Sequence, residues 1–144
     1  MFKQIYIPFI LLLSLSLFAQ KKELKSVDKL IQNEDYASAL EQLLAVQSLV
    51  EGSELKYQAQ YQFLAGKIYG EQKQFGAAFE ALASAKQLEA ENGSSKHTAD
   101  INVLVNELSN QAINQAVEEN QNANYTVAAD LLVMVYNVDK EQNT

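Results

Sequence analysis

Between Tyr57 and Ala90 the apolar and small residues fall into two stripes. The first is Tyr57, Tyr61, Leu64, Ala65, Ile68 and Tyr69, and the second is Phe75, Ala78, Phe79, Leu82 and Ala85. Steps of three and four residues place each set along one side of a helix. Between the stripes, Gly70-Glu71-Gln72-Lys73-Gln74 has almost nothing apolar to bury, which predicts a chain reversal and an antiparallel helix pair. Gly66 has no side chain and Ala78 and Ala85 carry only a methyl, so larger neighbours can lie across those gaps at interior packing density. A bulky residue at Gly66 or Ala78 is therefore expected to be costly.

Gly66, Tyr69, Phe75, Ala78, Leu82 and Ala85 have the order and spacing of the signature positions of the tetratricopeptide repeat. The stretch resembles that 34-residue helix-turn-helix unit. It departs from the family pattern at Gln62, where a large aromatic is favoured, at Ala65, where Leu is, and at Ala90, where Pro often ends the unit.

Two further segments carry the same spacing. Leu24, Val27, Leu30 and Ile31 form a short stripe, Asn33-Glu34-Asp35 interrupts it, and Tyr36, Ala39, Leu40, Leu43, Val46 and Val50 follow. Asp35 is placed to cap that second helix, and Gly52 suits a left-handed terminus for it. Tyr36, Ala39 and Leu43 stand where Phe75, Ala78 and Leu82 stand in the central unit, with Val27 and Leu30 in place of Gly66 and Tyr69. After the breaker Asn92-Gly93-Ser94-Ser95, Thr98 is a capping residue for a long helix from about Ala99 to Asn122. A kink near Ser109-Asn110 would bring it within the usual length. Tyr125, Ala128 and Leu132 then repeat the spacing a third time, although Glu119 replaces Tyr69. The expected fold is all-α: a right-handed solenoid of about three hairpins, over residues 20–53, 59–92 and 109–142.

Residues 1–19 read as an export signal. Lys3 supplies the positive start, residues 5–18 are almost unbroken apolar sequence, and Ala19 precedes the expected cut. The competing reading is an uncleaved anchor, against which about 15 apolar residues rise only ~22 Å as a helix, short of a ~30 Å hydrocarbon core; no stable membrane insertion is expected after cleavage. No Cys follows the run, which excludes lipid attachment of the bacterial lipoprotein kind. The expected product is one domain, residues 20–144, exported to the periplasm or the extracellular space. Loss of Lys3 takes the formal charge from -7 to -8.

Composition removes several classes of chemistry. Without Cys there are no thiolate ligands, disulfides or thiol nucleophiles. The basic residues are all Lys, so no guanidinium fork is present for phosphate or carboxylate. The acidic balance disfavours nucleic acid as a partner. His97 and Asp100 stand three apart, but no other His or Cys completes a metal shell. Glu118-Glu119 and the Glu89, Glu91 pair sit on polar faces, where nothing would separate two carboxyl pKa values for acid-base work. Ser84, Ser94, Ser95 and Ser109 lack the elbow of a serine nucleophile, and the five glycines form no phosphate loop. Asn92-Gly93-Ser94 and Asn124-Tyr125-Thr126 match the glycosylation pattern, but turn and cap duties account for both. No catalytic group, cofactor or metal is expected.

In tetratricopeptide repeats the first helices line a concave groove. By that resemblance Gln60, Phe63, Lys67 and Glu71, with Asn110, Ile113, Val117 and Gln121 in the third unit, are expected to face a protein or peptide partner. Phe63 would be the aromatic anchor, unless it packs against the preceding hairpin. The resemblance implies an exported scaffold for protein-protein interaction. The alternatives are the non-catalytic front of a larger exported enzyme or envelope assembly, and a closed apolar pocket among Tyr61, Phe79 and Tyr136.

Overall fold

A computed structural model describes the backbone of residues 6–142 and the side chains of residues 19–140. Seven helices follow in order: α1 (Tyr6–Gln32), α2 (Tyr36–Ala45), α3 (Gln47–Glu51), α4 (Leu55–Glu71), α5 (Phe75–Glu91), α6 (Thr98–Gln121) and α7 (Tyr125–Gln142). No strand occurs among the described residues. The chain is all-α and packs sequence-adjacent helices as pairs: α1 with α2, α4 with α5, and α6 with α7. The side chains of the apolar run before Ala19 lie outside the described residues. No described helix is long and apolar enough to cross a membrane.

The α4/α5 pair is the centre, and its two faces feed two cores. Leu64, Ala65 and Ile68 of α4 and Ala81 of α5 join Leu24, Val27, Ile31, Ala39, Leu43 and Val50 of the first hairpin. Phe63 of α4 and Phe75, Phe79 and Leu82 of α5 join Ile101, Val105, Leu108 and Leu131 of the third. An ideal Cβ on Gly66 would lie 2.6 Å from Leu82 Cγ and 3.4 Å from the Ala78 carbonyl oxygen. Only a bare backbone at Gly66 therefore lets the two helices close to this distance.

Gly70 serves a similar end that its neighbours conceal. The polar run after it suggests a turn, yet Gly70 lies buried inside α4, and a Cβ there would come within 2.9 Å of Leu108 Cδ2 on α6. Close contact between the second and third hairpins thus also depends on a missing side chain.

The reversals themselves use other residues. Glu34, Lys73 and Ala123 adopt positive φ, at 59°, 57° and 61°, each two residues before the next helix. In all three turns that residue's N–H donates three residues back and the following N–H donates five residues back. The second of these bonds is Asp35 to Leu30 (3.0 Å), Gln74 to Tyr69 (2.9 Å) and Asn124 to Glu119 (2.8 Å). These are Schellman closures, which satisfy helix-end carbonyls. Gly93 closes α5 in the same way at φ 64°. Gly52 does not: its φ is -96°, so the expected left-handed terminus there is absent.

Other expectations meet mixed outcomes. Asp35 caps α2, its Oδ1 accepting from the Ser38 N–H at 3.2 Å. The second helix of the first hairpin is interrupted at Val46, after which α3 and the Gly52-Ser53 link lead to α4. α6 runs unbroken through Ser109-Asn110, and Thr98 is its first residue rather than its cap. In the third hairpin Ala128 is buried like Ala39 and Ala78, but Tyr125 and Leu132 are exposed, and Leu131 and Val135 enter the core instead. Phe75 and Leu82 are covered by α6, whereas no described helix follows α7 to cover the corresponding face.

Two substitution series test this packing. Gly66→Ala should lower unfolding stability by about 1–3 kcal/mol, while Gly76→Ala, whose Cβ would meet only Met134 Cε at 3.6 Å, should be neutral or stabilising by up to ~1 kcal/mol; urea denaturation of both compares them directly. Ala123→Gly relieves a left-handed alanine and should stabilise by about 0.5–1 kcal/mol, whereas Gly93→Ala should lose a similar amount, read as opposite shifts in urea midpoint.

Candidate functional site: a groove along α4 and α6

The eight groove positions divide by helix. On α6, Asn110, Ile113, Val117 and Gln121 are exposed, with Val117 51 % accessible and Val103 on the same stripe. Buried Ile101, Val105, Leu108, Ala112 and Ala116 hold the opposite side of α6 against the core, which leaves the outer stripe facing solvent by helical periodicity. The surface there is apolar valines and isoleucine interleaved with amides.

On α4 the picture differs. Glu71 is exposed and Gln60 and Lys67 are half-buried, but Phe63 is only 8 % accessible. Phe63 is therefore not a free aromatic anchor. Its ring stacks on His97, centroid to centroid 4.6 Å at 21°, and His97 belongs to the α5–α6 connection, not to the preceding hairpin. Lys67 Nζ lies 5.6 Å from the Phe63 ring centre and 3.5 Å from Asp28 Oδ1 on α1. Asp28 occupies in the first hairpin the register that Lys67 occupies in the second, so the pair ties adjacent first helices together. Both side chains are about a third exposed, so the pair contributes well under 1 kcal/mol.

Glu89 is the residue that sequence reasoning misplaced most. Grouped with Glu91 on a polar face, it is in fact 3 % exposed. Its Oε1 accepts from the His97 N–H and its Oε2 from Thr98 Oγ1, each at 2.7 Å. A carboxylate at the N-terminus of a helix is favoured by the unpaired N–H groups and the dipole there. Glu89 thus caps α6 from α5 and fixes the connection that carries His97 onto Phe63. No local spacing signals this, because the cap comes from eight residues upstream.

The remaining chemistry is sparse. Among the described residues no group of three or more His, Asp or Glu is placed to hold a metal. Tyr61, Phe79 and Tyr136 do not enclose a pocket: Tyr61 packs on one core, Phe79 is buried in the other, and Tyr136 is 66 % exposed. The closed cavity expected among these three residues is therefore not formed. Comparison with family models, curated proteins and solved structures finds no match.

His97 gives the site a pH signature. Burial against Phe63 lowers its pKa, Lys96 lowers it further, and Glu89, Asp100 and Asp28 oppose them. A base with a depressed folded pKa binds fewer protons folded than unfolded, so stability is lost as pH is lowered. The loss begins near the ordinary imidazole value of about 6.5 and is complete below the folded pKa. His97→Phe keeps a ring against Phe63 without a titrating group; its urea midpoint should change less between pH 7.5 and pH 5.5 than that of the parent protein.

Proposed function

We propose that the chain is an exported scaffold of the tetratricopeptide type, which holds a peptide or protein segment in the groove along α4 and α6. The observation that carries this reading is the recurrence of one closing turn at Glu34, Lys73 and Ala123, joined to buried Ala39, Ala78 and Ala128 at one register of the second helices. A repeated hairpin whose first helix keeps an exposed side, as α6 does, offers a surface for a partner, as helical repeats do generally. The exposed Val103, Ile113 and Val117 stripe supplies the apolar contact that such a surface uses. No reactive group is assigned.

Export rests on the sequence of residues 1–19, with cleavage after Ala19 and release into the periplasm or beyond. A second reading, the non-catalytic front of a larger exported enzyme or envelope assembly, is favoured by the uncovered face of α7, where Tyr125, Leu132 and Tyr136 are all exposed. Both readings give the groove the same task.

Selection of peptides from a random displayed library on residues 20–144 tests the groove. Peptides so obtained should bind an Ile113→Glu, Val117→Glu variant at least tenfold more weakly, since apolar anchors dominate interface energies. Both positions are exposed, so the circular dichroism melt should be unchanged. Equal binding by the two proteins would place the peptide site elsewhere.

A further inference from the structure

A cleft of about 410 Å³ lies beside the first turns of α4. Four lysines line it: Lys21 and Lys25 from α1, Lys56 from the start of α4, and Lys96 from the α5–α6 connection, with Tyr57 and His97 between them. This is a local reversal of sign in a chain of net charge -7. Lys56 is partly spent, pairing with Glu54 at 2.8 Å and lying 4.9 Å from the centre of the Tyr57 ring. Among the described residues Lys21, Lys25 and Lys96 have no ion-pair partner. The carboxylate in the wall, Glu89, offsets one of these charges but pairs with no lysine, its oxygens accepting from the His97 N–H and Thr98 Oγ1, so the lysines remain in excess.

Like charges gathered around one depression repel one another and lower stability unless something compensates them. We infer that this lysine-lined cleft receives the carboxylates of an acidic protein segment, a run of two or more Asp or Glu residues, whose flanking chain lies in the groove. The inference rests on the groove reading above and names the chemistry of its partner. Charge complementarity selects an acid. Three features favour a string of carboxylates over one compact phosphate. The ammonium groups arise from three separate elements around the rim. The chain has no Arg to grip a phosphate through a fork. The α6 N-terminus, which would otherwise offer N–H groups to a dianion, is already occupied by Glu89. Gln60, one of the proposed groove positions, also lines the cleft, so one extended segment can reach both.

Fluorescence anisotropy with residues 20–144 tests the inference, using a labelled peptide containing five consecutive Glu, a matched peptide with Gln in their place, and inorganic phosphate as competitor. The Glu peptide should bind more tightly than the Gln peptide and weaken as salt rises. A Lys21→Gln, Lys25→Gln, Lys96→Gln variant should bind the Glu peptide about tenfold or more weakly. A control with Lys22, Lys29 and Lys73 each changed to Gln, equal in net charge, should bind it as the parent does. All six lysines are exposed, so both variants should keep the parent's melting curve. Equal loss in the two variants would reduce the effect to net charge and overturn the inference. Phosphate displacing the peptide at equimolar concentration would overturn it in favour of a small-anion site. Equal binding of the Glu and Gln peptides, both lost on Ile113→Glu, Val117→Glu, would overturn it while leaving the groove reading standing. Binding of neither peptide to any protein would also overturn it, and the library selection would then decide the groove separately.

Discussion

The approach of α4 to α5 at Gly66 is the contact from which the other packing takes its position. Leu82 occupies the space where a side chain on Gly66 would be, with Ala78 one turn earlier on α5. Because the two helices lie this close, α4 can present Leu64, Ala65 and Ile68 to the first hairpin while α5 presents Phe75, Phe79 and Leu82 to the third. A wider separation would pull both cores apart at once, since a void in a packed interior forfeits contacts on every side. Gly70 extends the same device to the next layer, where Leu108 of α6 fills the missing volume.

The helices and their pairing were legible because burial imposes a period on the sequence, and that period survives in Ile101, Val105, Leu108, Ala112 and Ala116 as well as in the central unit. The duties of the glycines were not. Gly52 and Gly70 look like turn residues by composition, yet the first is ordinary in conformation and the second is a packing residue. The left-handed turns fall on Glu34, Lys73 and Ala123, residue types that carry no such signal. Only one of the four closures, at Gly93, follows the usual preference. Local strain of this kind is tolerated where hydrogen bonding on both sides determines the turn.

The candidate site was legible by halves. Asn110, Ile113, Val117 and Gln121 are exposed, as helical periodicity requires of residues opposite a buried stripe. Phe63 could not be placed from α4 alone, because its exposure depends on His97, a residue 34 positions later in a connection that Glu89 holds in place. The lysine cleft likewise assembles from α1, α4 and the α5–α6 connection, segments that adjoin only after the hairpins have packed. Periodicity reports which side of a helix is buried; it does not report which distant loop arrives to cover part of the other side.

The central claim is that the missing side chains at Gly66 and Gly70 let Leu82 close the α4/α5 pair and let Leu108 bring α6 against α4. Nuclear Overhauser spectroscopy on protein with labelled leucine methyls measures this directly. Cross-peaks from the α-protons of Gly66 to the Leu82 methyls, and from those of Gly70 to the Leu108 methyls, are the predicted result. Absence of both, in a protein whose chemical shifts report intact helices, would mean that the helices stand apart and would contradict the account.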